Sequence, residues 1–334
     1  MRTTVRDVTA ADPTAPTPPG RLPRDRPFRF GIQAKPNTTR NDLVDVARRA
    51  EALGYATLTM PDHFDDQFAP VPALQCAADA TTTLRLGALV FDNDYKHPVV
   101  MAKELATMDV LSEGRVEIGL GAGWMESDYV ASGIPYDPPG VRVSRFIEGL
   151  AVIKGALGNE PFSFAGEHYT ITDYNGLPKP VQQLPPVLIG GGAPRVLRFA
   201  ARHADIVGIN GDLRTGKVDA AVINSMSAEA VDQKLEWVTA AAAEAGRLDA
   251  IELNVRVFLN AITDDVAGAT DFIAQMANQP PEMITESPFA LVGPPAKLID
   301  DLLARRERWG FSYVLVGQAE LEAFAPVVAA LTGT

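Results

Sequence analysis

The sequence has a single cysteine, Cys76, among 334 residues, which excludes an internal disulfide. Its setting in PVPALQCAADA, apolar at helical spacing, predicts a small buried side chain. The 4 histidines lie far apart and offer no paired spacing for zinc, so no metal site is expected. Positive charge is also short. With 30 Lys and Arg against 42 Asp and Glu, the formal charge is −12, which argues against a nucleic-acid or anionic-membrane surface. A basic pocket for one phosphate survives that total. No apolar run approaches membrane-spanning length, and the N-terminus lacks the apolar core of a signal peptide, so a cytoplasmic protein is expected. There is no G-x-S-x-G nucleophile motif and no internal repeat.

What remains is a chain 46% hydrophobic, enough for a sizeable core. Met1–Pro27 differs from the rest, with six prolines, scattered arginines and almost no large apolar residue. Such a segment buries too little to offset its ordering entropy, and it is expected to be a flexible tail or an arm onto a neighbouring subunit. From Phe28 onward, to residue 334, strand-like runs alternate with helical ones. FRFGIQ (28–33), YATLTM (55–60), LRLGALVF (84–91), RVEIGLG (115–121), PPVLIG (185–190), DIVGIN (205–210), IELNVRVFLN (251–260) and FSYVLVG (311–317) are each followed by an amphipathic helical stretch. Several of these strands are apolar on both faces, which implies a parallel sheet covered on both sides. Eight βα units in this length favour a closed α/β (β/α)₈ TIM barrel with insertion regions. A hairpin is expected over PFSFAGEHYTITD (161–173), and a second, non-periodic insertion over 279–295. Insertions of this length serve as lids or as subunit contacts.

In such a barrel the chemistry lies at the C-terminal ends of the strands, in the βα loops. The second strand ends in PDHFDD, so Asp62 and His63 stand where a proton donor or acceptor is expected, with Asp62 placed to orient the ring. Phe64 follows as a pocket-lining candidate. The third strand closes on VFDN, offering Asp92 and Asn93 as hydrogen-bonding groups; His97, before Pro98, reads as a loop residue or helix cap. GLGAGWMESDY after the fourth strand is a poor dinucleotide fingerprint, because Trp124 stands where a glycine is needed. Gly121 and Gly123 instead leave room for a flat ring near the backbone, with Trp124 and Glu126 as candidate pocket residues. The fifth strand runs through Gly190, Gly191 and Gly192 into a helix beginning near Pro194. The N–H groups and dipole of that helix suit a phosphate, and Arg195 adds a counter-charge. His168 and His203 read as structural or exposed.

Taken together, PDHF, GALVFDNDYKHP, GLGAGWMESDY and IGGGAPRVLRFAARHADIVGIN make the chain from Phe28 to about Leu331 resemble the bacterial luciferase-like superfamily, in its coenzyme F420-dependent oxidoreductase branch. That resemblance implies a TIM barrel binding a flavin or deazaflavin at its C-terminal face. It also implies a non-prolyl cis peptide at Leu89–Val90 against the ring, Asp62 and His63 at the ring's reactive edge, Asp92 and Asn93 beyond the bulge, and a phosphate loop at Gly190–Gly192. Sugar-phosphate dehydrogenases of this branch carry a glutamate where this chain has Trp124, which points to a more apolar substrate. Hydride transfer between coenzyme F420 and a small organic molecule is one expectation. An FMN-dependent monooxygenase served by a flavin reductase is another, and a non-catalytic flavin-binding subunit a third. The resemblance further implies a homodimer.

Overall fold

Every barrel strand is short and almost wholly buried, because aliphatic residues on one face meet the barrel interior and those on the other meet a helix. The structure is a computed structural model that describes residues 20–34 and 39–334. The first half of the chain contributes β1 (Arg29–Gln33), α1 (Arg40–Ala52), β2 (Thr57–Met60), α2 (Pro70–Ala80), β3 (Arg85–Ala88), β4 (Phe91–Asp92), α3 (Pro98–Leu111), β5 (Val116–Gly121), α4 (Glu126–Ser132) and α5 (Pro139–Leu157). A hairpin of β6 (Phe162–Ala165) and β7 (Thr170–Tyr174) follows, then β8 (Val187–Gly191), α6 (Pro194–His203), β9 (Ile206–Ile209), α7 (Ala220–Asn224) and α8 (Ala228–Glu244). The chain ends with β10 (Glu252–Arg256), β11 (Leu259–Ala261), α9 (Val266–Ala277), α10 (Pro281–Glu286), β12 (Ala290–Val292), α11 (Pro295–Trp309), β13 (Phe311–Gly317) and α12 (Ala325–Leu331).

Parallel pairing runs β3, β2, β1, β13, β10, β9, β8, β5, and β5 pairs again with β3. The sheet is therefore a closed eight-stranded barrel, as the alternation of elements predicts. Helix starts follow local chemistry. Thr39 and Asp42 form a capping box on α1, and His97 caps α3 by accepting from the Val99 N–H. Proline opens α2, α3, α5, α6, α10 and α11, where its missing N–H costs nothing. Phe30, Phe146, Leu74 and Leu197 are fully buried in the layer between sheet and helices. Each such side chain stabilises the fold by about 1.5–3 kcal/mol. No helix among the described residues is long and apolar enough to cross a membrane.

Several local expectations are corrected. LRLGALVF is two strands, broken by a cis peptide between Leu89 and Val90, the bond that the resemblance implies. IELNVRVFLN leaves the barrel after Arg256, and its far end, β11, pairs with β12 in a separate two-stranded sheet. The insertion at 279–295 contains α10 and β12. With α9 these pack Ile273, Ala274, Ile284, Ala290 and Val292 into a small core of their own. Residues 1–19 of the expected tail lie outside the described residues. Within its remainder Leu22 is buried in the main core and Arg21 pairs with Glu307. Cys76 is partly rather than fully buried.

Candidate active site

The C-terminal mouth of the barrel opens into a cavity of about 1260 Å³. Its floor forms where β3 breaks. Val90, just past the cis peptide, lies against β5 and β8 at Gly119, Gly121 and Gly190. A Cβ on Gly121 would stand 2.6 Å from Val90 Cγ2, so only glycine fits beside it. Leu89, Val90, Gly121, Gly123 and the Gly190–Gly192 run all line the cavity. None of Gly190–Gly192 has a positive φ. What glycine removes here is bulk, since a Cβ on Gly192 would run into the Gly211 carbonyl oxygen. Beyond them α6 begins without a side-chain cap, leaving its first N–H groups open to an anion. Arg195 also lines the cavity, with its guanidinium donating to Gly140 O and Ser144 Oγ at 2.9 and 2.8 Å.

One edge of the cavity is polar. His63 presents its ring there, and Nδ1 lies 2.7 Å from Asp128 Oδ2. Tyr95 donates to the same oxygen at 3.0 Å, and Trp124 meets the imidazole edge to face at 5.8 Å. Among the described residues Nε2 of His63 has no hydrogen-bond partner. Asp62 does not orient the ring, contrary to expectation: its Oδ2 accepts the Asp92 N–H at 3.1 Å, across the β2 and β4 ends. Burial, chiefly, raises the pKa of Asp62. Burial also pushes Asp92 up to about 7, with the neighbouring Asp94 and Asp62 charges adding to the rise. Tyr129 donates to both Asp92 and Asp94, and Asp94 is paired with Arg145 at 2.7 Å. The two adjoining carboxylates differ accordingly: Asp94 has a cation, and Asp92 has only a hydroxyl and an N–H.

Of the other anticipated residues, three lie elsewhere. Asn93 is buried on the outer side of the barrel wall, donating to Tyr169 Oη at 3.2 Å, because alternation along β4 turns it away from the interior that Asp92 faces. Phe64 is 50% exposed and packs on Tyr95 outside the cavity. Glu126, the first residue of α4, is exposed and does not line the cavity, so its carboxylate does not substitute for the missing one. Sequence reasoning missed Asp128, Gln33, Arg142, Asn254 and Arg256. Asp128 lies in the first turn of the helix that follows the strand, and only the path of the glycine loop brings it 2.7 Å from His63. Arg256 had a readable signal, a lone cation in an apolar strand. The sequence pattern carries the strand on to Asn260, whereas Arg256 is its last residue.

A parallel barrel whose functional groups gather in the βα loops at its C-terminal mouth defines a broad class of catalytic scaffold. Within that class the match is specific: the sequence model of the luciferase-like monooxygenases covers residues 27–313, and the chain belongs to that family. It is 30% identical over 209 residues to an F420-dependent glucose-6-phosphate dehydrogenase of Amycolatopsis mediterranei, covering 59% of this chain and 62% of the relative. It is 28% identical over 221 residues to an FMNH(2)-dependent dimethylsulfone monooxygenase of Pseudomonas putida, covering 65% of this chain and 56% of that one. The match therefore spans less than two thirds of these curated relatives' own length. In fold it resembles the F420-dependent tetrahydromethanopterin reductase of Methanopyrus kandleri, with a TM-score of 0.74 at 19% identity over 91% of this chain and 98% of the other. An F420-dependent secondary alcohol dehydrogenase in complex with an F420-acetone adduct superposes with a TM-score of 0.75 at 17% identity, over 92% and 99%.

Proposed function

We propose that this protein is an oxidoreductase using coenzyme F420, with His63 holding and moving the proton at Nε2. The observation that carries the reading is the His63–Asp128 pair set at the edge of a glycine-floored cavity. A flat ring fits the residues present. Gly121 keeps the floor beside Val90 free of side chains, and the uncapped start of α6 with Gly192 and Arg195 suits a phosphate. When bound, the deazaflavin supplies hydride transfer. The rest is the work of the chain. Asp128 accepts from Nδ1 and thereby directs Nε2 toward the cavity, so the imidazole can take or return a proton there. Trp124 packs edge to face against the imidazole. The cavity exceeds the roughly 300–1,000 Å³ of an ordinary small-molecule site, which leaves room for two reactants side by side.

A second reading, an FMN-dependent monooxygenase supplied with reduced flavin by a separate reductase, draws on the likeness to the Pseudomonas enzyme. Fluorescence titration of the purified chain with F420 and with FMN separates the two. Tighter binding of F420 supports the first reading, and FMN binding without F420 binding overturns it. His63→Ala is expected to leave cofactor affinity within about twofold and to lower turnover by roughly 10²–10⁴-fold, the usual contribution of a positioned acid or base. Unchanged turnover would remove His63 from the mechanism.

A further inference from the structure

At the end of β10 the Arg256 side chain reaches into the same cavity with most of its hydrogen-bonding capacity unused. Its Nε donates to Gln33 Oε1 at 2.9 Å, and Gln33 Nε2 in turn donates to the Leu89 carbonyl at 3.3 Å, beside the cis peptide. Buried Nη1 has no acceptor at all. Arg256 forms no salt bridge among the described residues. Burial pulls its pKa down to about 10, and the more distant Glu320 offsets this only in part. Burying a cation without a salt bridge is costly, and an anion brought into the cavity beside it offsets that cost. Next to this cation the wall changes character. Phe258 lies 5.2 Å from the guanidinium and is 45% exposed, and Met276, on the roof formed by α9, is 74% exposed although it lines the cavity. Leu259 and Ile284 continue the same apolar surface.

We propose that Arg256 anchors the head group of an amphipathic substrate, a carboxylate joined to an apolar body that lies against Phe258 and the α9–α10 roof. The guanidinium supplies the positive charge that a carboxylate needs, and Gln33 holds its Nε in place, which leaves Nη2 to donate. The proposal rests on the oxidoreductase reading and adds its substrate class. It explains why a protein of net charge −12 keeps an arginine at the cavity wall without a salt bridge among the described residues.

The test is calorimetric titration of the full chain with octanoate and with 1-octanol, which differ at the head group alone. Octanoate is expected to bind roughly tenfold or more tightly than the alcohol, the usual weight of a charge-assisted hydrogen bond. Arg256→Met should abolish that preference while leaving 1-octanol binding within about twofold. Met276→Glu, at an exposed position that does not endanger folding, should weaken octanoate and 1-octanol alike, because it sets a charge against the apolar body they share. Equal affinity for acid and alcohol, no octanoate binding to the wild type, or an Arg256→Met variant that keeps the preference would overturn the proposal. So would a loss of F420 or FMN affinity in Arg256→Met with octanoate unaffected, since Arg256 would then serve the cofactor. If the octanoate results hold and neither F420 nor FMN binds, the anion site stands and the cofactor reading alone fails.

Discussion

The two ends of the barrel interior treat charge in opposite ways. At the N-terminal end Arg29 lies between Glu117 and Glu252, at 2.6 and 2.7 Å, and Arg85 holds Glu117 from the other side at 2.7 Å. Tyr313 stacks beneath the Arg29 guanidinium, 3.7 Å from its centre, and is tied to Thr57 by a hydrogen bond of 2.7 Å. Burial works against the Arg29 cation, yet Glu117, Tyr313 and Glu252 together hold its pKa above the usual range. At the C-terminal end Asp92 is buried and Asp62 half-buried, neither in a salt bridge among the described residues, and half-buried Arg256 has no salt bridge among them either. The first arrangement closes the barrel. The second leaves groups whose charge a bound molecule can change, which is where perturbed titration points to function.

If the contrast is real, damage at the closed end should cost stability and damage at the open end should cost turnover. Glu117→Ala leaves Arg29 and Arg85 facing each other in a half-buried layer. It should lower unfolding free energy by about 3 kcal/mol in chemical denaturation, while turnover per folded molecule stays near wild type. An unaltered midpoint would make the network ornamental. Asp128→Asn is the counterpart at the mouth. It should cut kcat by roughly tenfold or more without changing cofactor affinity, because only the aim of Nε2 is lost. A matching loss of cofactor affinity would instead make Asp128 part of the binding wall.

The smallest effect is in the pH dependence of stability. Asp92 titrates at about 7 in the folded protein and at about 3.9 when unfolded. Between those values the folded state binds more protons, so stability falls as pH rises through that window and levels off above it. Asp92→Asn removes this loss. Its melting temperature relative to wild type should therefore climb by a few degrees from pH 5 to pH 8, and a constant difference across that range would show that Asp92 is not held protonated.

The sequence by itself determined the barrel, because each doubly buried strand and its amphipathic helix carry their periodicity locally, from Phe30 in β1 to Val314 in β13. It also placed His63, Asp92 and the Gly190–Gly192 run, since a barrel's active face is given by strand direction alone. The partners of those groups were not legible. Asp128 meets His63 across 65 positions, and Arg256 meets Gln33 across 223. Asn93 and Phe64 sat in the expected loops yet point away from the cavity, as strand alternation and the loop path dictate. Composition and periodicity report what each segment buries. Which buried charge is left without a partner depends on side chains from distant strands arriving at one layer of the barrel, and only the tertiary structure decides that.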